Sequence, residues 1–387
     1  MNTWLLKPAE LTLKGDNRKS FEGILKNNLQ RLLCAIDNKI KTKFTAGRYY
    51  IYAPDEKSQE IEKKLSALTG ISGWAKTTTC EKNQEAVIAS CVEEAKKLYK
   101  AGIKTFKIDA RRTDKSFPLT SYELCCTAGD AVLNGVSGLK VDIHNPQETI
   151  KIEIREKAFV YSGGKKGIGG LPVGSAGRGM LLLSGGIDSP VAGFLMASRG
   201  MTIDAVHFHS YPYTSREAKE KVIKLAEITG AYCMGIKLFI LNFTKVQTRI
   251  KERTPFAFAT VLLRMAMMEA AQKAAVKTKC KCLITGESLS QVASQTIENL
   301  TCTQSRISLP VLRPLIGFNK DEIIKRAREI GTYDTSILPY EDCCTLFSPA
   351  HPVLRANVDE ANALYEKLEI QPLINEALEN YEYIKPD

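Results

Sequence analysis

Phe21, Ile24, Leu25, Leu29, Leu32 and Leu33 recur at the three- and four-residue spacing that lines one helical face. The flanking stretches 2–6 and 40–52 read as short strands, so residues 1–58 are expected to form a small α+β unit. A second unit is expected over 59–165, with helical patterns at 57–68, 83–100 and 121–134 and strands at 103–109, 139–143 and 149–161. The last two strands flank the turn signal Asn145-Pro146. Residues 162–179 then hold eight glycines in eighteen positions and almost no apolar period, which predicts a flexible joint, with 166–179 as the linker proper. Beyond it the rhythm changes to strand 180–184, helix 189–199, strand 202–209, helix 215–229, strand 232–238, two helices within 242–276 and strand 282–285. Strands alternating with helices imply an α/β unit, here 180–387, built on a parallel sheet covered on both faces.

The 387 residues are 44% apolar, a folded-protein profile that excludes disorder, collagen and coiled coil. No run of about 18 apolar residues exists for a membrane span, and the opening stretch is too short for a signal-peptide core, so a cytoplasmic protein is expected. Eleven dispersed cysteines point to reduced thiols rather than a disulfide scaffold. The net charge of +11 is uneven, with +9 on residues 1–170 and +2 on the rest. Such a field suits a polyphosphate partner, with RNA, DNA and anionic membrane all eligible, and ordinary solubility charge as the bland alternative.

The apolar run Met180-Leu181-Leu182-Leu183 empties into Ser184-Gly185-Gly186-Ile187-Asp188-Ser189, with Pro190 at the expected helix start. Two glycines let backbone N–H groups approach an anion, Ser184 and Ser189 add hydroxyls, and the helix N-terminus adds partial positive charge. The segment reads as a phosphate cradle. It is neither GxxxxGK[ST] nor GxGxxG. Asp188 inside such a turn is unfavourable beside phosphate unless it handles a metal or a proton.

SGGxDS after an apolar strand resembles the pyrophosphatase loop of adenine-nucleotide α-hydrolase-like enzymes, which split ATP between its α and β phosphates. The likeness extends through Leu13–Arg18, Val141–Pro146, Gly169–Gly174, Thr285–Thr296 and Arg313–Ile316. Together these resemble the tRNA 4-thiouridine sulfurtransferase family. The resemblance implies a ferredoxin-like domain, a THUMP RNA-binding domain and a C-terminal ATP-pyrophosphatase domain. It also implies thiolation of uridine eight of tRNA through an adenylated uridine, with ATP and Mg²⁺, and sulfur from a cysteine desulfurase persulfide. Leu182, Leu183, His207, Phe208, Arg264, Gly286 and Gln295 are expected to line the ATP site, beyond the carboxyl ends of strands ending near 184, 209 and 285. No membrane partner is expected; a homodimer and a role in supplying sulfur to the thiamine thiazole are left open. The chain stops at Asp387 without room for the rhodanese domain of some members, so the persulfide is expected from a desulfurase or a separate carrier.

Within that picture Asp188 is the candidate metal holder, directly or through water, and Lys320 the candidate phosphate contact, against a solvated lysine beside Asn319–Glu322. Arg264, among Leu262, Leu263, Met265 and Met268, is a candidate ligand, with a surface salt bridge as the alternative. Cys343 and Cys344 lie in a turn-rich stretch where the family's catalytic cysteine falls, and Cys343 is the better local match. Cys34, Cys91 and Cys233 lie in periodic segments and are expected in cores. Cys280-Lys281-Cys282 lacks a partner pair at metal spacing and is a weak cluster site. Arg111, Arg112, Lys115, Lys140, Lys165 and Lys166 are candidate phosphate contacts on the THUMP side. A 2-thiolation enzyme with the same loop and a non-enzymatic RNA-binding module are the alternative functions.

Overall fold

A computed structural model describes residues 2–45, 47–340, 349 and 351–386; Cys343 and Cys344 lie outside the described residues. The chain divides into two compact units, Met1–Gly170 and Leu171–Asp387. Among the described residues no helix is long and apolar enough to cross a membrane.

The first unit holds β1 (Asn2–Pro8), α1 (Arg18–Cys34), β2 (Lys41–Thr45), β3 (Arg48–Ala53), α2 (Ser58–Ala67), β4 (Ile71–Cys80), α3 (Gln84–Lys100), β5 (Thr105–Arg112), α4 (Ser121–Gly135), β6 (Lys140–Val141), β7 (Glu148–Ile154), β8 (Ala158–Tyr161) and β9 (Lys165–Lys166). The strands form one sheet in the order β2-β3-β1-β4-β8-β7-β5-β6, with β9 also on β4. The predicted apolar stripe on α1 is realised as buried Leu25, Leu29 and Leu33. Cys34 follows that stripe and is exposed, correcting its expected core position, whereas Cys91 and Cys233 are buried. β4 has no counterpart among the predicted strands. Its first part pairs antiparallel with β1 through Thr77, and Thr78, Thr79 and Cys80 pair with β8, so one strand serves both halves. The predicted strand 149–161 is a hairpin, because the polar triplet Arg155-Glu156-Lys157 makes a turn closed by the Arg155 N–H on the Lys157 carbonyl.

Glu153 of β7 ties this sheet together from a nearly closed position. Its carboxylate accepts from Arg48 at 2.9 Å, Arg155 at 3.0 Å and the Tyr161 hydroxyl at 2.9 Å. Burial alone would push its pKa up, but these donors outweigh it and hold the carboxyl at about 2.

The joint at 162–179 is bonded on both sides of Gly170. Gly167 and Gly169 donate to the backbone of Ser72 and Ile71, and Leu171, Gly174 and Ala176 donate to Ser198 and Gly200. Gly169 and Gly174, at φ of 78° and 96°, turn the chain in the left-handed region that side chains disfavour.

The second unit holds β10 (Arg178–Leu182), α5 (Asp188–Ser198), β11 (Thr202–His209), α6 (Arg216–Tyr232), β12 (Lys237–Asn242), α7 (Thr244–Arg253), α8 (Ala259–Lys277), β13 (Leu283–Ile284), α9 (Ile297–Gln304), β14 (Val311–Leu312), α10 (Lys320–Glu329), α11 (Tyr333–Ser336), α12 (Val358–Lys367), α13 (Gln371–Glu379) and β15 (Glu382–Ile384). The order is β14-β13-β10-β11-β12-β15, parallel except for the antiparallel edge β15. Met180, Val206 and Phe208 belong to the core built around α8, whereas Leu181 meets Gly193 of α5 on the opposite face. The expected two-sided parallel sheet is therefore present, with the strand predicted at 232–238 lying at 237–242.

Candidate active site

The carboxyl ends of β10, β11 and β13 open into a cleft lined by the 182–189 loop, His207, Phe208, Arg264, Met267, Met268, Thr285, Gly286, Glu287 and Gln295. α5 starts at Asp188, two residues before Pro190, and proline is tolerated there because first-turn N–H groups have no helical acceptor. The loop is fastened by its own serines. The Ser184 N–H donates to Ser189 Oγ at 2.9 Å, the two hydroxyls are 3.1 Å apart, and the Gly186 N–H donates to Ser184 Oγ at 3.3 Å. Gly286 of the neighbouring strand end abuts this loop so closely that a Cβ would come within 2.7 Å of the Ser189 nitrogen. Only glycine fits that approach.

Asp188 and Lys320, predicted separately, meet in the fold. Lys320 donates to Asp188 Oδ1 at 2.6 Å, and Gln291 donates to Oδ2 at 2.9 Å. A capping box of Asn319 and Glu322 fixes the start of α10 and so the place of Lys320.

Arg264 lines the cleft and is ion-paired there to Glu287, a partner the sequence did not single out. Buried Glu287 accepts from Arg264 on one oxygen, and from Arg313 at 2.7 Å and Thr285 at 2.8 Å on the other. Burial would raise the Glu287 pKa, but the two guanidinium groups lower it, so the carboxylate stays charged. Glu287, Arg313 and Gln291 were not singled out individually; the only signal was their presence in the segments carrying the family resemblance. The alternative of a surface salt bridge for Arg264 gives way to a buried partner on the cleft wall.

His207 is buried and its Nδ1 lies 3.0 Å from the Leu183 carbonyl, which can only accept, so Nδ1 carries the proton. Phe208 packs edge-on against Phe243 at 4.7 Å. Gln295 is buried, and among the described residues its side-chain oxygen has no partner, leaving an acceptor for a polar ligand.

Cys280 and Cys282 are buried, and burial pushes the Cys280 thiol up to about 12. Among the described residues no group of three metal-ligating side chains comes together.

On the first unit, Arg111, Lys165 and Lys166 gather with Lys7 and Lys151 around two adjoining hollows beside Tyr161. Lys165 also pairs with Glu62 at 2.9 Å and lies over the Trp74 ring. Burial lowers the Lys7 pKa more than nearby Glu153 raises it. Lys140 stands apart on edge strand β6, Lys115 is exposed, and Arg112 donates to the Phe117 carbonyl at 2.7 Å.

Three family models match in sequence order: the ThiI ferredoxin-like domain at 3–75, the THUMP domain at 81–162 and the thiamine biosynthesis protein (ThiI) at 174–370. A probable tRNA sulfurtransferase of Treponema pallidum (strain Nichols) is 48% identical over 377 residues, covering 97% of this chain and 93% of that protein. One from Thermoanaerobacter pseudethanolicus is 45% identical over 372 residues, covering 96% and 97%. Among solved structures, a 4-thiouridine synthetase–RNA complex with bound ATP is 35% identical, with a TM-score of 0.91 and full coverage of both chains.

Proposed function

The chain belongs to the tRNA sulfurtransferase family, and from that premise we propose that it transfers sulfur to a uridine of tRNA, at the expense of ATP, to give 4-thiouridine. The observation that carries this reading is the cleft at the carboxyl ends of β10, β11 and β13, where Gly286 seats directly against the Ser184–Ser189 loop.

Phe208, Met267 and Met268 would hold the adenosine of ATP, and the Gln295 oxygen would accept from a base or sugar donor. The loop N–H groups and the start of α5 face the phosphates. Arg264 is held by Glu287 with its charge toward the same cleft, and Lys320 exchanges its bond to Asp188 for a phosphate oxygen. Asp188, a hard oxygen donor beside two serine hydroxyls, suits Mg²⁺, which would neutralise charge developing on the phosphates.

Uracil resists substitution because its C4 oxygen leaves as a strongly basic anion. Attack of that oxygen on the α phosphate expels pyrophosphate and converts it into a leaving group that departs as AMP when sulfur adds at C4. A cysteine desulfurase persulfide supplies the sulfur. Its outer sulfur, on the donor or passed to Cys343, adds at C4 as AMP departs. A second thiol, Cys343 in the first case, then attacks the resulting S–S bond, so that 4-thiouridine leaves and a disulfide forms that an external thiol must reduce before the next turnover. The basic hollows beside Lys7, Lys151, Arg111, Lys165 and Lys166 contact tRNA phosphates.

A pyrophosphate-release assay tests the reading: bulk tRNA should stimulate release from ATP. Release indifferent to tRNA would argue for another substrate, and none at all for a binding module.

A further inference from the structure

A row of rings leads out of the cleft along β11. His207 lines the cleft; its ring is 6.4 Å from that of His209, which in turn lies 6.5 Å from Tyr211 with 21° between planes. His207 and His209 share one face of β11, opposite the α8 core that takes Val206 and Phe208, and Tyr211 follows in the loop just past the strand end. The two histidines are buried, whereas Tyr211 is 65% exposed and Tyr213 58%.

The loop carrying these tyrosines is tightly built. The Ser210 N–H donates to Thr214 Oγ1 at 3.0 Å and its hydroxyl to Gln247 Oε1 at 2.5 Å. The N–H groups of Tyr213 and Thr214 converge on the Ser210 carbonyl, and Thr244 Oγ1 donates to the Tyr211 carbonyl at 2.7 Å. Ser210, Thr214 and Gln247 are buried. A satisfied buried network fixes a backbone in one arrangement, and here it presents two aromatic rings to solvent, Tyr211 two ring separations from the His207 that lines the cleft. α6 begins right after this loop, and its Lys221 donates to the Leu338 carbonyl at 2.9 Å.

We propose that Tyr211, supported by Tyr213, is the platform on which the target uracil stacks once withdrawn from the tRNA fold. This rests on the reading above. A uracil taken out of its stack loses base contacts that an aromatic face replaces. Stacking engages the face of the base and leaves its C4–O edge free to point along the ring row toward the cleft. The competing occupant is the adenine of ATP, which stacks equally well.

The test uses the full chain. Product tRNA carrying 4-thiouridine is bound in the presence of ATP and irradiated at long wavelength, which bonds the thiocarbonyl base to whatever it touches, and the joined peptide is identified by mass spectrometry. The bond should fall on the 210–215 loop. In parallel, Tyr211→Ala should lower kcat/KM for tRNA by about 5- to 150-fold, the range of one lost base–aromatic stack, with ATP affinity unchanged and Tyr211→Phe retaining most of the activity. Weakened ATP binding in Tyr211→Ala would assign the ring to adenine and overturn the proposal. So would wild-type kcat/KM in that variant, or a bond only elsewhere. A wild-type protein that forms no 4-thiouridine would instead overturn the parent reading.

Discussion

Lys320 Nζ donates to Asp188 Oδ1 at 2.6 Å, joining the first residue of α10 to the first residue of α5 across 132 positions of sequence. The pair places one positive and one negative side chain where phosphates would meet the loop, so each can pass its bond to a ligand of opposite charge. Asp188→Ala should abolish thiolation yet leave tRNA affinity within about twofold, since the proposed phosphate contacts lie on the first unit and not at this loop. Parallel nucleoside analysis and filter binding check this. Equal loss of both would contradict the division of labour between the two units.

Gly286→Ala places a methyl 2.7 Å from the Ser189 nitrogen, and the atoms nearest it are all Asp188 or Ser189 backbone, which cannot swing aside as a side chain could. The loop must shift, so ATP affinity should fall by at least tenfold, read by calorimetry. Gly186→Ala is the control: its Cβ would meet only the Ser184 hydroxyl, at 3.5 Å, and a far smaller loss is expected.

Glu153 makes acid stability predictable. Its carboxyl sits at about 2 in the fold against an ordinary 4.5, so its contribution is complete above pH 4.5 and lost as pH falls toward 2. The size is on the order of 3 kcal/mol. Glu153→Gln should flatten that part of the stability-versus-pH curve in urea unfolding. A curve of unchanged steepness would show that the carboxylate is not held by Arg48, Arg155 and Tyr161.

Helical stripes were the most legible feature of the chain. Leu25, Leu29 and Leu33 set α1, and the predicted helices 83–100 and 121–134 match α3 and α4 within a residue. The parallel sheet was readable from alternation, and the Ser184–Ser189 loop from the strand that precedes it. β4 escaped because Ile-Ser-Gly-Trp-Ala-Lys-Thr-Thr-Thr-Cys carries few apolar positions and its two parts answer to different partners, β1 and β8. The Glu287 site escaped for a related reason. Arg264 was visible as an odd charge in an apolar helix, but which carboxylate compensates it is decided by the packing of β13 against α8, not by spacing.

Sulfur delivery is a separate matter from adenylation. Cys343→Ser should stop multiple-turnover transfer from a cysteine desulfurase while tRNA-stimulated pyrophosphate release persists, since adenylation needs ATP, Mg²⁺, the loop and the uridine but no thiol. Cys344→Ser should be milder. Full turnover in the double variant would exclude a thiol role for both cysteines.

The central claim is that this chain makes 4-thiouridine in tRNA. Unmodified tRNA is incubated with the protein, ATP, Mg²⁺, a cysteine desulfurase and cysteine, then digested to nucleosides and analysed by mass spectrometry. Uridine heavier by the exchange of one oxygen for sulfur at C4 should appear only with ATP present. A 2-thiolated nucleoside in its place, or no sulfur-bearing nucleoside at all, would contradict the account.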